Sequence, residues 1–199
     1  MALRRPPSLL AESALTLLAR TAGDFRLAYG LAVVRSIGRI RRTVTALGSY
    51  DSRAVTAESS YLRIVTVAEA FADARSVTLL QGLARPEKQL LGLVAQYEVR
   101  SNYTWEARRE SYERVHAVRF VDCPDWTNLK TGAEIRNAIA HGLGTLTVRQ
   151  RGELARWQRR FPQVRVRLDG YRVEISPEAV QECLRYVSAF VRWLDAALP

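Results

Sequence analysis

Arg136, Asn137 and His141 lie within one short stretch, AEIRNAIAHGLG, which runs from Ala133 to Gly144. These three side-chain types suit chemistry on a phosphate ester. A guanidinium fork matches two non-bridging oxygens and stays charged at any working pH. An imidazole exchanges protons near neutrality, and an amide can orient either neighbour. On a helix with about 100° per residue, Ile135, Ala138 and Ile139 form one apolar face. Arg136, Ala140, Asn137 and His141 follow in that order around the opposite side. Asn137 and His141 are four residues apart and so are surface neighbours. The amide is therefore expected to bond a ring nitrogen and set the tautomer of His141. In the last helical turn, His141 also meets a dipole that favours a cation. Ala140 leaves room for close approach. Arg136 and His141 stand about 140° apart on the wheel, so one helix does not easily aim both at one atom. Two copies related by a two-fold axis would do so.

The bland reading of the same residues is a helix C-cap, His141-Gly142, beside a solvated arginine. Arg109 and His116 match the loose spacing as well, in a charge-rich helix without the amide and glycine context, and read as a decoy. Glu134 adjoins the motif. No DxD or ExK pattern accompanies it, so it reads as a solvated or helix-supporting carboxylate rather than a catalytic one. Cys123 and Cys183 lie in no CxxC or Cys/His cluster and read as two buried thiols. The expectation is no metal and no cofactor.

The elements that must position this group are mostly helical. The chain has 199 residues, 48% hydrophobic and 25% charged, enough for a buried core, and it reads as a single domain over residues 1–199. No apolar run approaches the ~18 residues of a membrane span. Glu12 and Arg20 interrupt the apolar N-terminal stretch, which reads as a helix rather than a signal peptide, and the expected location is cytoplasmic. Ser8 caps a first helix that is predicted to continue to Gly48, followed by a loop, GSYDSRAVT. A long amphipathic helix carries Leu62, Val65, Ala68, Phe71 and Ala72. Pro86 opens another helix, and Thr104 caps the next. Residues 122–125 form a turn, and the motif helix runs from about Trp126 or Leu129 to His141, with Gly142 ending it. After it, VRVRLDGYRVEI alternates around Asp169-Gly170, a hairpin pattern. Ser176-Pro177 starts a last helix with Val180, Leu184, Val187, Val191 and Leu194 on one face. The fold class is mostly α, a helical bundle with a small β-hairpin before the C-terminal helix.

Net charge is +10, and the only lysines are Lys88 and Lys130. Such an arginine excess favours polyanions. Arg156, Arg159 and Arg160 share a helical face just after the motif and are the candidate RNA-binding group. Arg165, Arg167 and Arg172 decorate the hairpin, and Arg39, Arg41 and Arg42 form a further cluster. For each group a plain solvated face is the competing reading. Trp126, Trp157 and Tyr171 could stack on bases, although aromatics at such spacing are more often core.

The RNAIAH segment resembles the signature of the HEPN superfamily (higher eukaryotes and prokaryotes nucleotide-binding domains): Arg, four to six residues, His, often with a polar residue after the Arg. The resemblance is recognisable in sequence from about Trp126 to Thr147, nearest the RiboL-PSP branch, and extends in layout to long helices before the motif and a hairpin and helix after it. It implies a metal-independent endoribonuclease acting as a homodimer on an RNA substrate, commonly a toxin or an anti-phage defence effector with an antitoxin or defence-system partner protein. It makes Arg136 and His141 catalytic and Asn137 supporting. One branch carries a Tyr two residues after the His, which a partner modifies; here that position is Leu143. The alternatives are a catalytically inactive RNA- or protein-binding module of the same family, and a helical scaffold with no nucleic-acid role.

Overall fold

A computed structural model describes residues 6–36, 43–45, 48–84 and 104–198. The helix expected to begin at Pro86 and the Arg39, Arg41 and Arg42 cluster lie outside these residues. Helix α1 spans Leu9–Ser36, with the Ser8 hydroxyl accepting from the Ala11 amide at 3.2 Å. It does not continue to Gly48. Instead Thr43–Thr45 (β1) pairs antiparallel with Gly48–Tyr50 (β2). The β-branched Thr-Val-Thr run is a poor helix former and a good strand former.

Helix α2 spans Ser52–Ala84 and begins inside the segment read as a loop. Asp51 is the reason: its Oδ1 accepts from the amides of Arg53 (2.8 Å) and Ala54 (3.4 Å), so the N-cap lies well before the apolar stripe starts. The stripe itself forms as its spacing predicts. Val65, Ala68, Phe71 and Ala72 are buried and Leu62 packs against them.

Helix α3, Trp105–His116, is capped by Thr104. A turn through Cys123 and Pro124 leads into α4, Trp126–Gly142. Two short helices follow, α5 (Val148–Arg151) and α6 (Leu154–Arg160). Strands β3 (Arg167–Asp169) and β4 (Arg172–Glu174) form the hairpin, and α7 (Pro177–Ala197) closes the sequence behind its Ser176 cap. Asp169 pairs with Arg172, so the two turn residues are Gly170 and Tyr171 rather than Asp169 and Gly170. Gly170 takes the positive φ of 55° that this turn needs. The hairpin also binds the exit of α4, through Val173 N to Gly144 O and Leu146 N to Tyr171 O, both 2.8 Å.

Three groups seat α4. Trp105, Phe120, Trp126 and Phe190 meet around one aromatic centre, edge to face except for the tilted Trp105–Phe120 pair, with ring centroids 5.2–6.4 Å apart. Gly132 lies against α7, where the Tyr186 hydroxyl bonds Tyr61 of α2 at 2.8 Å. Arg185 of α7 holds Asp125, at the start of α4, through both carboxylate oxygens; that guanidinium keeps the Asp125 carboxyl below its ordinary pKa. Cys123 and Cys183 are buried free thiols, and burial pushes Cys183 up to about 12. Among the described residues no helix is long and apolar enough to cross a membrane.

Candidate functional site

Ile135, Ala138 and Ile139 of α4 are buried, as the wheel requires, and Ala140 and His141 are exposed on the other side. Arg136 is 31% exposed in its side chain. Its Nη1 donates to Asn137 Oδ1 at 3.1 Å, and Nη2 lies 4.0 Å from Glu69 Oε2 of α2. This differs from the expected pairing. Asn137 turns its carbonyl oxygen to the guanidinium beside it, not to His141. The guanidinium is the neighbouring residue's own charged donor, and a charged N–H makes a strong hydrogen bond to an amide oxygen. His141 has no hydrogen-bond partner among the described residues.

Helix α4 runs through Gly142, and the left-handed residue that ends it is Leu143, at φ 48° and 69% exposed. Gly144 follows at φ 80°. A Cβ there would come within 3.1 Å of the Glu58 carboxylate of α2. That carboxyl is raised above its ordinary pKa, chiefly by burial.

Arg136 and Asn137 open onto a cleft of about 400 Å³ between α3, α4 and the α5–α6 segment. Six cations line it, Arg108, Lys130, Arg136, Arg149, Arg156 and Arg160, against three carboxylates, Glu69, Glu106 and Glu134. Arg108 is structural: it is buried, and its Nε and Nη2 grip both oxygens of Asp73 at 2.7 and 2.8 Å. Of the three arginines expected to form a binding face, Arg156 and Arg160 reach the cleft and Arg159 does not. Trp157 is 3% exposed and Trp126 is 4% exposed, so both are core; Tyr171 is the one at the surface, 48% exposed, beneath the Arg151 guanidinium. His141 is absent from the cleft lining. Arg165, Arg167 and Arg172 border a separate cleft with Asp51, Glu58 and Glu174.

Sequence reasoning missed Lys130 and Arg149. A signal for Arg149 exists in Thr-x-x-Gln at 147–150, a capping box that starts a helix. The structure forms that box and with it α5. Glu134 is the anchor. It accepts from Arg149 Nη2 at 2.8 and 2.9 Å, and from Gln150 Nε2 at 2.9 Å, while Gln150 is fully buried. This is a supporting carboxylate, in line with its sequence reading. The decoy pair is also structural. Arg109 bonds Glu106, and His116 Nε2 lies 3.2 Å from Ser76 Oγ, its pKa lowered by burial and then by Arg75. Among the described residues no three His, Cys, Asp or Glu side chains gather into a possible metal site.

No family model, no curated protein and no solved structure matches this chain.

Proposed function

We propose that the protein is a metal-independent endoribonuclease of HEPN type, a toxin or anti-phage defence effector that works in the cytoplasm as a homodimer. The observation that supports it is the placement of Arg136. It stands at the mouth of a cation-lined cleft, held at one edge by Asn137. His141 sits on the same solvent side of α4, about 7–8 Å further along the axis. The small side chain of Ala140 lies between them on the wheel, so the phosphate can approach the helix closely.

Because the imidazole and the guanidinium do not meet within one protomer, the active site combines Arg136 of one protomer with the imidazole of its partner. The substrate supplies its own nucleophile. Its 2′-oxygen bonds to phosphorus as an imidazole takes the hydroxyl proton. The P–O5′ bond breaks as an imidazolium returns a proton to the 5′-oxygen. Arg136 neutralises the charge that builds on the non-bridging oxygens. The products are a 2′,3′-cyclic phosphate and a 5′-hydroxyl.

The test is cleavage of a labelled RNA in EDTA by wild type, Arg136→Ala and His141→Ala, with end-group analysis. Each substitution should lower the rate by about 10²-fold or more. Mixing the two inactive variants should restore about a quarter of the wild-type rate. Half of the re-formed dimers would be mixed, each with one intact composite site of two. Equal rates for all three proteins, or a divalent-metal requirement, would overturn the proposal. Unimpaired RNA binding without cleavage would favour the inactive RNA-binding reading, for which the separation of Arg136 from His141 within one protomer speaks.

A further inference from the structure

We propose that the cleft beside α4 is the strand channel: it takes single-stranded RNA on the side of the scissile phosphate away from His141. This rests on the nuclease reading for its choice of polyanion, and on the structure for its place and direction. Along α4 the cleft extends from Arg136 and Asn137 back to Lys130, toward the start of the helix, while His141 lies a turn beyond Asn137 in the opposite sense. A strand bound at Arg136 therefore has a cationic path back along α4 to Lys130.

Two of the cleft arginines, Arg149 and Arg156, are anchored at one edge. Arg149 gives only Nη2 to Glu134, which leaves Nε and Nη1 for another acceptor. Arg156 gives Nη1 to Glu153 and lies 4.7 Å above the ring of Trp157. An arginine already held at one edge loses less side-chain entropy when its other edge takes a phosphate. Lys130 and Arg160 have no acidic partner among the described residues and supply the uncompensated charge. Trp105 and Trp157, which also line the cleft, carry buried indole N–H groups with no partner among the described residues.

Two facts select a single strand. A cleft of about 400 Å³ has room for a nucleotide or two, not for a stacked duplex. In addition, A-form geometry holds the 2′-oxygen out of line with the departing 5′-oxygen, so the reacting linkage must be unstacked. Unpaired segments are what proteins usually read in RNA.

The test uses a fluorescent 12-nucleotide RNA with every 2′-hydroxyl methylated, so that wild-type protein binds it without cutting. The triple variant Lys130→Gln/Arg156→Gln/Arg160→Gln should weaken binding at least tenfold. It should also flatten the salt dependence by about two in log–log slope, at ~0.7 for each phosphate no longer neutralised. Its thermal melt should match wild type. Arg159→Gln, outside the cleft, should change Kd less than twofold, and the same sequence as a duplex should bind at least tenfold more weakly. An unchanged triple variant, an Arg159→Gln effect of equal size, duplex binding as tight as single strand, or equal competition by polyglutamate would each overturn the channel. The two readings fail separately. Cleft-dependent binding with no cleavage of unmodified RNA sinks the nuclease alone, and cleavage that ignores the triple substitution sinks the channel alone.

Discussion

Gly132→Ala should unseat the helix that carries the candidate site. In an exposed helix this change stabilises by about 1 kcal/mol, since alanine is the better helix former. Here an added Cβ would lie 2.2 Å from the Tyr186 hydroxyl, 3.0 Å from its Cζ and 3.2 Å from its Cε2. The first distance is impossible without movement. Both Tyr186 and Tyr61 are fully buried, so neither ring has open space to swing into. Forcing a methyl into a packed core costs about 1–3 kcal/mol. Parting the Tyr61–Tyr186 bond of 2.8 Å costs about 1–3 kcal/mol more where a buried hydroxyl loses its partner. After subtracting the helix gain, a net loss of about 3 kcal/mol is expected. For a chain of this size that is a fall of about 6–12 °C in Tm. The check is a thermal and urea melt of wild type, Gly132→Ala, Tyr186→Phe and the double variant. Removing the hydroxyl takes away the atom at 2.2 Å and leaves ring atoms that need give by only a few tenths of an ångström. The alanine should therefore cost about 2 kcal/mol less in the phenylalanine background. If Gly132→Ala is neutral or stabilising, α4 does not rest on Tyr186 and the placement of Arg136 and His141 built on that packing fails.

Two further outcomes follow from the charged groups. The pKa of His116 is lowered in the fold by burial and by Arg75, so the unfolded chain binds the proton more readily. The stability it permits is complete above the unfolded value of about 6.5 and is lost as pH falls below it. Urea melts between about pH 7.5 and pH 5.5 should show wild type weakening on acidification more than His116→Gln does; parallel curves would refute this. At Glu134, alanine should cost about 1 kcal/mol, because one of the two Nε2 bonds of the buried Gln150 is lost while the one to the Glu134 carbonyl stays. Glutamine, which still offers an oxygen, should cost under about 0.5 kcal/mol, because the ion pair with the largely exposed Arg149 adds little. RNA cleavage by Glu134→Gln at or near the wild-type rate confirms a supporting role; a hundredfold loss would make it a catalytic carboxylate.

Much of the helical layout was legible because it rests on local rules. The caps at Ser8, Thr104 and Ser176 form as their residue types predict. The buried faces of α2, α4 and α7 follow their 3.6-residue spacing. The misreadings came where two local signals competed. Past Ser36 no proline interrupts the chain before Gly48, yet the β-branched run at 43–45 forms a strand. At 48–56 the turn-forming residues hid Asp51, whose carboxylate starts a helix of 33 residues. The site was legible only in part, for a different reason. A wheel places Arg136, Asn137 and His141 on one side of one helix. It does not show that Asn137 turns to its neighbour, or that Lys130 and Arg149 join Arg156 and Arg160 around one cleft. Those facts depend on where α5 and α6 fold back, and that is set by Glu134 and Gln150 across a gap of 16 residues.

The Asp195 carboxylate near the close of α7 takes both the amide and the hydroxyl of Ser8, while Arg75 of α2 reaches it at 3.2 Å. One side chain thus knots together the first helix, the last helix and the long one between them. Arg75 and Asp195 are only 7% and 9% exposed, so loosening either end strands charges in the interior. Fraying from the tips is thereby discouraged, and α1 and α7 are expected to come apart together or not at all.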